Sequence, residues 1–462
     1  MLETLFHGTR FQRDRRVTTR YRITLDMPTA GSETPEQVLE TFPTQAETDM
    51  QRRTSRARAG ALFATVLLGG GLLAGCAGKT TGAAGQPGGD CGTVANTPPG
   101  GSADLSTLPA GIKAGYNGYF QPVNNSAYAK FAAKPGPYTI GYSDSFSANS
   151  WRGNALARLN ADAATYQQAG LVSQLRATNS NLDNNLQIQQ ITSMINQHVD
   201  AIIAIPGSPT AFNGVIKQAY DAGIPFITLA SHVTSPYAIN VDTNYFLTGA
   251  MLSAEVAKLA GGKGDVLVVN GINGAPASEA LAKGYEAGFA RCPNIKIAGR
   301  LEGQWSEPTA KTVTLQYLST HPGKLAAVVN SGGMTSAILQ ALQQTGRQAV
   351  PVGDANPDQG SLIKLRQELP GSYAASTIPP QQSIDAALRV AIATLQGQGP
   401  KYDAIVANPP LVTGKATLDN WIQPGWTASS ADQAPAPPGT PFFPADELGA
   451  YFTSPKPLPP LP

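Results

Sequence analysis

The stretch SDSFSANSWR, residues 143–152, places Asp144, Asn149, Trp151 and Arg152 within ten positions. An indole ring offers a flat apolar face, while carboxylate, carboxamide and guanidinium groups offer planar, directional hydrogen bonding. Together they suit a small polyhydroxylated molecule, whose C–H faces stack on rings and whose hydroxyl groups pair with planar side chains. Comparable short clusters recur downstream: Ser231-His232, the glycine-bearing run 271–276, Gln304-Trp305, Ser331-Gly332-Gly333, and GDANPD at 353–358, which contains Asp354. Trp151 and Trp305 are two of only four tryptophans in the chain. The alternative role for each is packing, inside a core or between lobes.

Other chemistries lack their residues. A metal centre needs His, Cys, Asp or Glu at ligand spacing, but His198, His232 and His321 are isolated from one another, and neither Cys-x-x-Cys nor His-Glu-x-x-His occurs. His198 falls where a helix ends before a strand, where a helix C-terminal contact accounts for it. There is no Gly-x-Ser-x-Gly elbow and no Gly-x-x-x-x-Gly-Lys phosphate loop. In NGINGAP, Gly271 and Gly274 open a helix after a strand, yet no acidic partner follows a second strand in the right context, so a ligand-facing turn is preferred to a dinucleotide site. No catalytic residue, metal or cofactor is expected.

The elements that must position these groups begin at Pro137. YTIGY (138–142) reads as a strand, 150–169 as a helix, VSQLRAT as a strand, LQIQQITSMINQH as a helix and AIIAIP as a strand. The alternation continues through PFITLA, DVLVVNG, IKIAGRL and LAAVVNS, with helical stretches between them, to a strand near 349–352 and a further strand and helix. Strand, helix, strand, helix is the pattern of a parallel sheet with crossovers. Ten or eleven such units exceed one short sheet, so the expectation is α/β with two Rossmann-like lobes and a break near 241–244, in NVDTN. Ligands of open α/β sheets lie beyond the carboxyl ends of the strands, and the clusters above are the residues that follow strands.

Residues 59–79, AGALFATVLLGGGLLAGCAGK, follow Arg52, Arg53, Arg56 and Arg58. The apolar part is short for a span and is broken by Gly69-Gly70-Gly71; a basic region, an apolar region and small residues form an export signal. Leu73-Ala74-Gly75-Cys76 resembles the bacterial lipobox, which makes Cys76 a lipidation site and 50–75 a lipoprotein signal peptide, with a buried helix as the alternative. Met50 opens a complete signal, so residues 1–49 read as an upstream extension foreign to the native protein, or else a cytoplasmic leader. Residues 76–136 read as a Gly/Ala/Thr/Pro tether to about Gly101 and an irregular segment without an assigned role, and 427–462 as an extended, loosely docked proline-rich tail. From Cys76 onward the chain carries 23 basic and 23 acidic residues, with no basic stripe for nucleic acid. Cys91 and Cys292 then remain, either as a disulfide of an exported protein or as two separate thiols.

HVDAIIAIPGSPTAFNGVIKQAYDAGIPFITLAS, INVDTN, NGINGAPASEALAKGYEAGF and PVGDANPD resemble the ribose-binding-protein family of type I periplasmic binding proteins, in order, over about residues 137–421. The resemblance implies two Rossmann-like lobes joined by a three-strand hinge: 137–242 plus 380–407, and 243–379 plus 408–426. It also implies a monomeric, non-enzymatic receptor closing on a sugar-like solute for an ABC permease, lipid-anchored on the outer face of the cytoplasmic membrane. Asn149 and Trp151 match the family's polar and aromatic pair, Trp305 an aromatic wall, and Asp354 the acidic residue after Val-Gly. The chain departs at Ala230-Ser231, where sugar binders carry Asp-Arg; near Leu281 or Lys283, where an arginine is expected; at Ser331 or Gly332 for an asparagine; and near Pro379 for a glutamine. Without that charged clamp, a modified sugar, a polyol or a less polar solute is expected. The ligand-binding candidates are Asp144, Asn149, Trp151, Arg152, Ser231, His232, Trp305, Ser331 and Asp354. The rivals are a stand-alone sensor, an exported hydrolase, and a repressor-type regulator, which would need an N-terminal helix-turn-helix.

Overall fold

Short β-branched runs alternate with helix-forming stretches, and the computed structural model, which describes residues 90–440 and 442–461, turns that alternation into two parallel sheets. After a 3₁₀ turn at Leu105–Thr107 and helix α1 (Ala110–Ala114) come β1 (Tyr138–Asp144), α2 (Ser150–Gln168), β2 (Val172–Asn179), α3 (Asn184–Asn196), β3 (Ala201–Ile205), α4 (Asn213–Asp221), β4 (Phe226–Leu229) and β5 (Ile239–Thr243). The second series is α5 (Tyr245–Leu259), β6 (Lys263–Asn270), α6 (Pro276–Phe289), β7 (Asn294–Glu302), α7 (Glu307–Thr320), β8 (Leu325–Asn330), α8 (Thr335–Gln344), β9 (Val352–Asp354), α9 (Gln359–Glu368) and β10 (Tyr373–Ala375). Then follow α10 (Pro380–Leu395), β11 (Ala404–Ala407), β12 (Val412–Thr413), α11 (Lys415–Trp421) and α12 (Ala445–Gly449).

The first sheet has the order β11-β5-β4-β3-β1-β2 and the second β12-β10-β9-β8-β6-β7. All pairings are parallel except β10 with β12. Helices cover both faces of such sheets, which explains why β3 (AIIAI) and β4 (FITL) are buried along their whole length. The chain crosses between the two lobes after β5, after β10 and after β11. NVDTN lies in β5 and in the Asn244 cap that starts α5. Helix α10 returns to the first lobe and packs on α2, where Arg158 joins them: its Nε and Nη2 donate to Asp385 at 2.7 and 2.8 Å, and its Nε lies 3.0 Å from the fully buried Asp162. Burial, with Asp385 nearby, pushes the Asp162 carboxyl up to about 8.

Both terminal segments are more ordered than their composition suggests. Leu108, Ile112, Tyr116, Tyr119, Val123 and Tyr128 are buried in the first lobe's core, so residues 103–131 are a structural part of that lobe. Cys91 and Cys292 are disulfide-bonded, fastening the start of the same segment to the end of α6; any tether therefore ends before Asp90. The tail is not loosely docked. Trp421 is buried with its Nε1 donating to the Pro435 carbonyl at 2.8 Å, Phe442 enters the second lobe's core, and Leu448, Tyr451 and Phe452 enter the first lobe's core. Each such side chain contributes about 1.5–3 kcal/mol when fully buried, enough to hold an extended proline-rich chain against the surface. The upstream extension, the signal peptide and Cys76 lie outside the described residues, and among those described no helix is long and apolar enough to cross a membrane.

Candidate ligand cleft

The carboxyl ends of both sheets face a cleft of about 770 Å³. The first lobe supplies Asn149, Trp151 and Arg152 at the start of α2, and Ala230 after β4. The second supplies Tyr245, Leu281, Trp305, Ser331, Gly332, Asn356 and Asp358. Ile378 comes from the crossing before α10, and residues 428–431 and Gln433 come from the tail.

Both tryptophans are oriented by hydrogen bonds that occupy their only polar atom. Trp151 Nε1 donates to the Ile378 carbonyl at 2.7 Å, and Trp305 Nε1 to the Ser331 carbonyl at 2.9 Å. What remains for a ligand is ring surface. Gln304 and Trp305 have φ of 58° and 50°, left-handed backbone that costs about 1–3 kcal/mol per non-glycine residue and concentrates at functional sites. Gly271 accommodates the result, since a Cβ there would lie 2.3 Å from the Trp305 ring. Asn149 caps α2, its Oδ1 accepting from the Arg152 amide at 3.0 Å. Arg152 donates to Asp144 at 2.5 Å and sits 5.5 Å from the Trp151 ring centre.

On the opposite wall, Asn356 is held by three contacts: its amide donates to Asp354 at 3.0 Å, its Oδ1 accepts from Ile378 at 2.8 Å, and its Nδ2 donates to Gln433 at 2.7 Å. Asp358 caps α9 by accepting from the Ser361 amide at 2.6 Å. Burial raises its carboxyl to about 6, against the pull of that amide.

The sequence candidates divide. Asn149, Trp151, Arg152, Trp305 and Ser331 line the cleft. Ser231 lines an adjoining cavity of about 30 Å³ that shares Arg152, Ala230 and Trp305, and its hydroxyl donates to the Pro206 carbonyl at 2.6 Å. Three candidates are corrected. Asp144 is buried beneath the wall, where it accepts from Arg152, the Tyr142 hydroxyl and the Phe146 amide and so serves as the anchor of Arg152. His232 is covered by the N-terminal segment: Nδ1 lies 3.3 Å from Asp242, Nε2 lies 3.2 Å from Gln121 Nε2, and the Phe120 ring packs edge-on against it. Asp354 is fully buried behind Asn356, accepting from Thr335 Oγ1 at 2.5 Å. Burial lifts its carboxyl to about 7, although the Thr335 hydroxyl and the Asn356 amide favour the ionised form. Leu281 reaches the cleft, whereas Lys283 lies over the Phe120 ring at 5.2 Å. Residue reading passed over Tyr245, Asn356 and Gln433. Asn356 was within reach of that reading, because it lies in GDANPD two positions past Asp354.

The family model for the periplasmic binding protein domain matches residues 140–399. Among curated proteins, the xylitol-binding protein of Mycolicibacterium smegmatis is 28% identical over 54% of this chain and 70% of its own length. The galactofuranose-binding protein of Escherichia coli is 27% identical over 48% and 70%. Among solved structures, an ABC transporter solute binding protein from Thermobispora bispora superposes with a TM-score of 0.57 at 26% identity, covering 63% of this chain and 90% of that one. With two parallel-sheet lobes, a cleft at their strand ends and a match over more than half its length, the chain belongs to the periplasmic binding protein domain family, among the type I sugar-binding proteins.

Proposed function

We propose that this protein is an extracytoplasmic receptor that captures a sugar or sugar-like polyol between its lobes and delivers it to an ABC importer, held at the membrane by a lipid on Cys76. The observation that carries the solute class is the pair of indole faces, Trp151 from one lobe and Trp305 from the other, with their N–H groups occupied by protein carbonyls. Ring faces of this kind stack on the C–H surface of a polyol, and Arg152, Asn356 and Asp358 supply planar groups for its hydroxyls. Leu281 and Ala230 stand where sugar binders carry charged residues, which favours a modified sugar or a polyol over a standard pentose or hexose ring. The curated relative named for xylitol agrees in class. Capture needs no bond-making: contacts from both lobes exist together only in the closed arrangement, so the solute shifts the population toward it.

The test is thermal shift followed by calorimetry with xylitol, glycerol, myo-inositol, D-ribose, D-allose and D-galactose. A bound solute at 100 times its Kd stabilises the fold by about 2.7 kcal/mol, without being consumed. No shift across the panel overturns the solute class, and turnover of any member overturns the receptor. Cys76→Ser moves the protein from the membrane fraction to the soluble fraction if the anchor is right; retention at the membrane refutes it.

A further inference from the structure

The C-terminal tail reaches the cleft. Leaving α11, it forms a bridge between Gln433 and Asp358, and its Asp432 and Ser430 carbonyls accept from the amides of Gln359 and Gly360, each at 2.9 Å. Those amides belong to the first turn of α9, which has no intrahelical acceptors for them. Gly360 makes the approach possible: a Cβ there would lie 2.8 Å from the Ser430 carbonyl oxygen and 2.9 Å from that of Ala428. From this seat on the second lobe, Gln433 Oε1 accepts from Asn356 at 2.7 Å, while its Nε2 donates to Ser150 Oγ at 3.2 Å. Ser150 opens α2 in the first lobe, beside Trp151. One carboxamide therefore touches both walls of the cleft. Further along, the tail buries Leu448, Tyr451 and Phe452 in the first lobe.

We propose that residues 428–433 complete the ligand site as a third wall, and that Gln433 is a clasp coupling solute capture to lobe closure through the relay Asn356–Gln433–Ser150. Seated this way, the tail favours the closed arrangement before solute arrives and presents its amide beside the solute afterwards. The solute part rests on the receptor reading given above; the clasp does not.

Two variants test it in the full-length chain. Gln433→Met keeps the side chain's length and removes both hydrogen bonds; Gly360→Ala unseats the tail from α9 without altering a cleft residue. Small-angle scattering without solute is expected to give a larger radius of gyration for both variants than for wild type. Calorimetry with xylitol as the probe is expected to show binding weakened about tenfold by Gln433→Met, the effect of one to two neutral hydrogen bonds. Identical scattering from all three proteins overturns the clasp, and unchanged xylitol affinity overturns the third wall. If xylitol and the rest of the panel fail to bind wild type, the receptor reading and the third wall fall together, and scattering alone judges the clasp. Should Gly360→Ala fail to fold, Gln433→Met decides both measurements.

Discussion

Replacing Asp354 by Asn should flatten the pH dependence of folding stability. Asp354 is fully buried at the end of β9, and its carboxyl is raised from 3.8 to about 7, chiefly by burial. Between those values the folded state keeps a proton that the unfolded chain has lost. Stability from this group is therefore fully present below pH 3.8, declines as pH rises and is lost through pH 7, at up to about 1.4 kcal/mol per pH unit. Integrated from pH 5 to pH 7, the loss is about 2 kcal/mol. Asn cannot ionise, yet it can accept from the Asn356 amide as Asp354 does at 3.0 Å. Urea unfolding of both proteins at pH 5, 6 and 7 should show wild type losing about 2 kcal/mol more than Asp354→Asn across that interval. Parallel pH profiles would refute the reasoning, because the two hydrogen bonds to Asp354 would then have kept it ionised in the fold. Solute affinity should stay within about threefold of wild type; a larger loss in a folded variant would place Asp354 against the ligand.

Gly271→Ala should displace the Trp305 ring, whose atoms come within 2.3 Å of the added carbon, and weaken solute binding at least tenfold in calorimetry for about 1–3 kcal/mol of stability. Equal affinity would remove Trp305 from the wall. Arg158→Ala removes the two hydrogen bonds by which Arg158 on α2 holds Asp385 on α10 and should cost about 1.5–3 kcal/mol in urea unfolding at pH 7; because Asp162 is largely protonated there, adding Asp162→Asn should recover little of it, and full recovery would show that Asp162 is ionised in the fold. Cys91→Ser opens the bridge to Cys292 and should cost about 2–4 kcal/mol, with wild type in reductant unfolding at the same temperature as the variant. A variant indifferent to the change would mean the bridge does not constrain the unfolded chain.

The fold was legible because parallel strands buried on both faces, such as AIIAI and DVLVV, leave continuous apolar runs that helical stretches separate. The strand ends led to Trp151, Trp305 and Ser331 for the same reason: in this topology position in sequence implies position at the cleft. Nothing local distinguishes a carboxyl that faces the cleft from one buried beneath it, so the strand ends pointed to Asp144 and Asp354 and not to Asp358, which lines the cleft. His232 was misjudged because the segment that covers it, with Phe120 and Gln121, has no periodic pattern and docks only through long-range packing. Gln433 was invisible for a related reason. It lies 77 positions from Asn356 and 283 from Ser150, in a stretch whose prolines advertise extended chain and conceal the side chains that anchor it.

The Cys91–Cys292 bond also defines a path for mechanical load. Residues 92–291 lie within a covalent ring that encloses β1 to β5, α5, β6 and α6. Tension applied to the chain before Cys91 and at its C-terminal end passes through the sulfurs into the second lobe, so the strands inside the ring cannot be drawn out in line. Pulled in an optical trap, the oxidised chain would lengthen by about 700 Å less than the reduced one, the span of 201 extended residues. Under oxidising conditions most of the first sheet is thus shielded from stretching, and only the chain beyond Cys292 can yield.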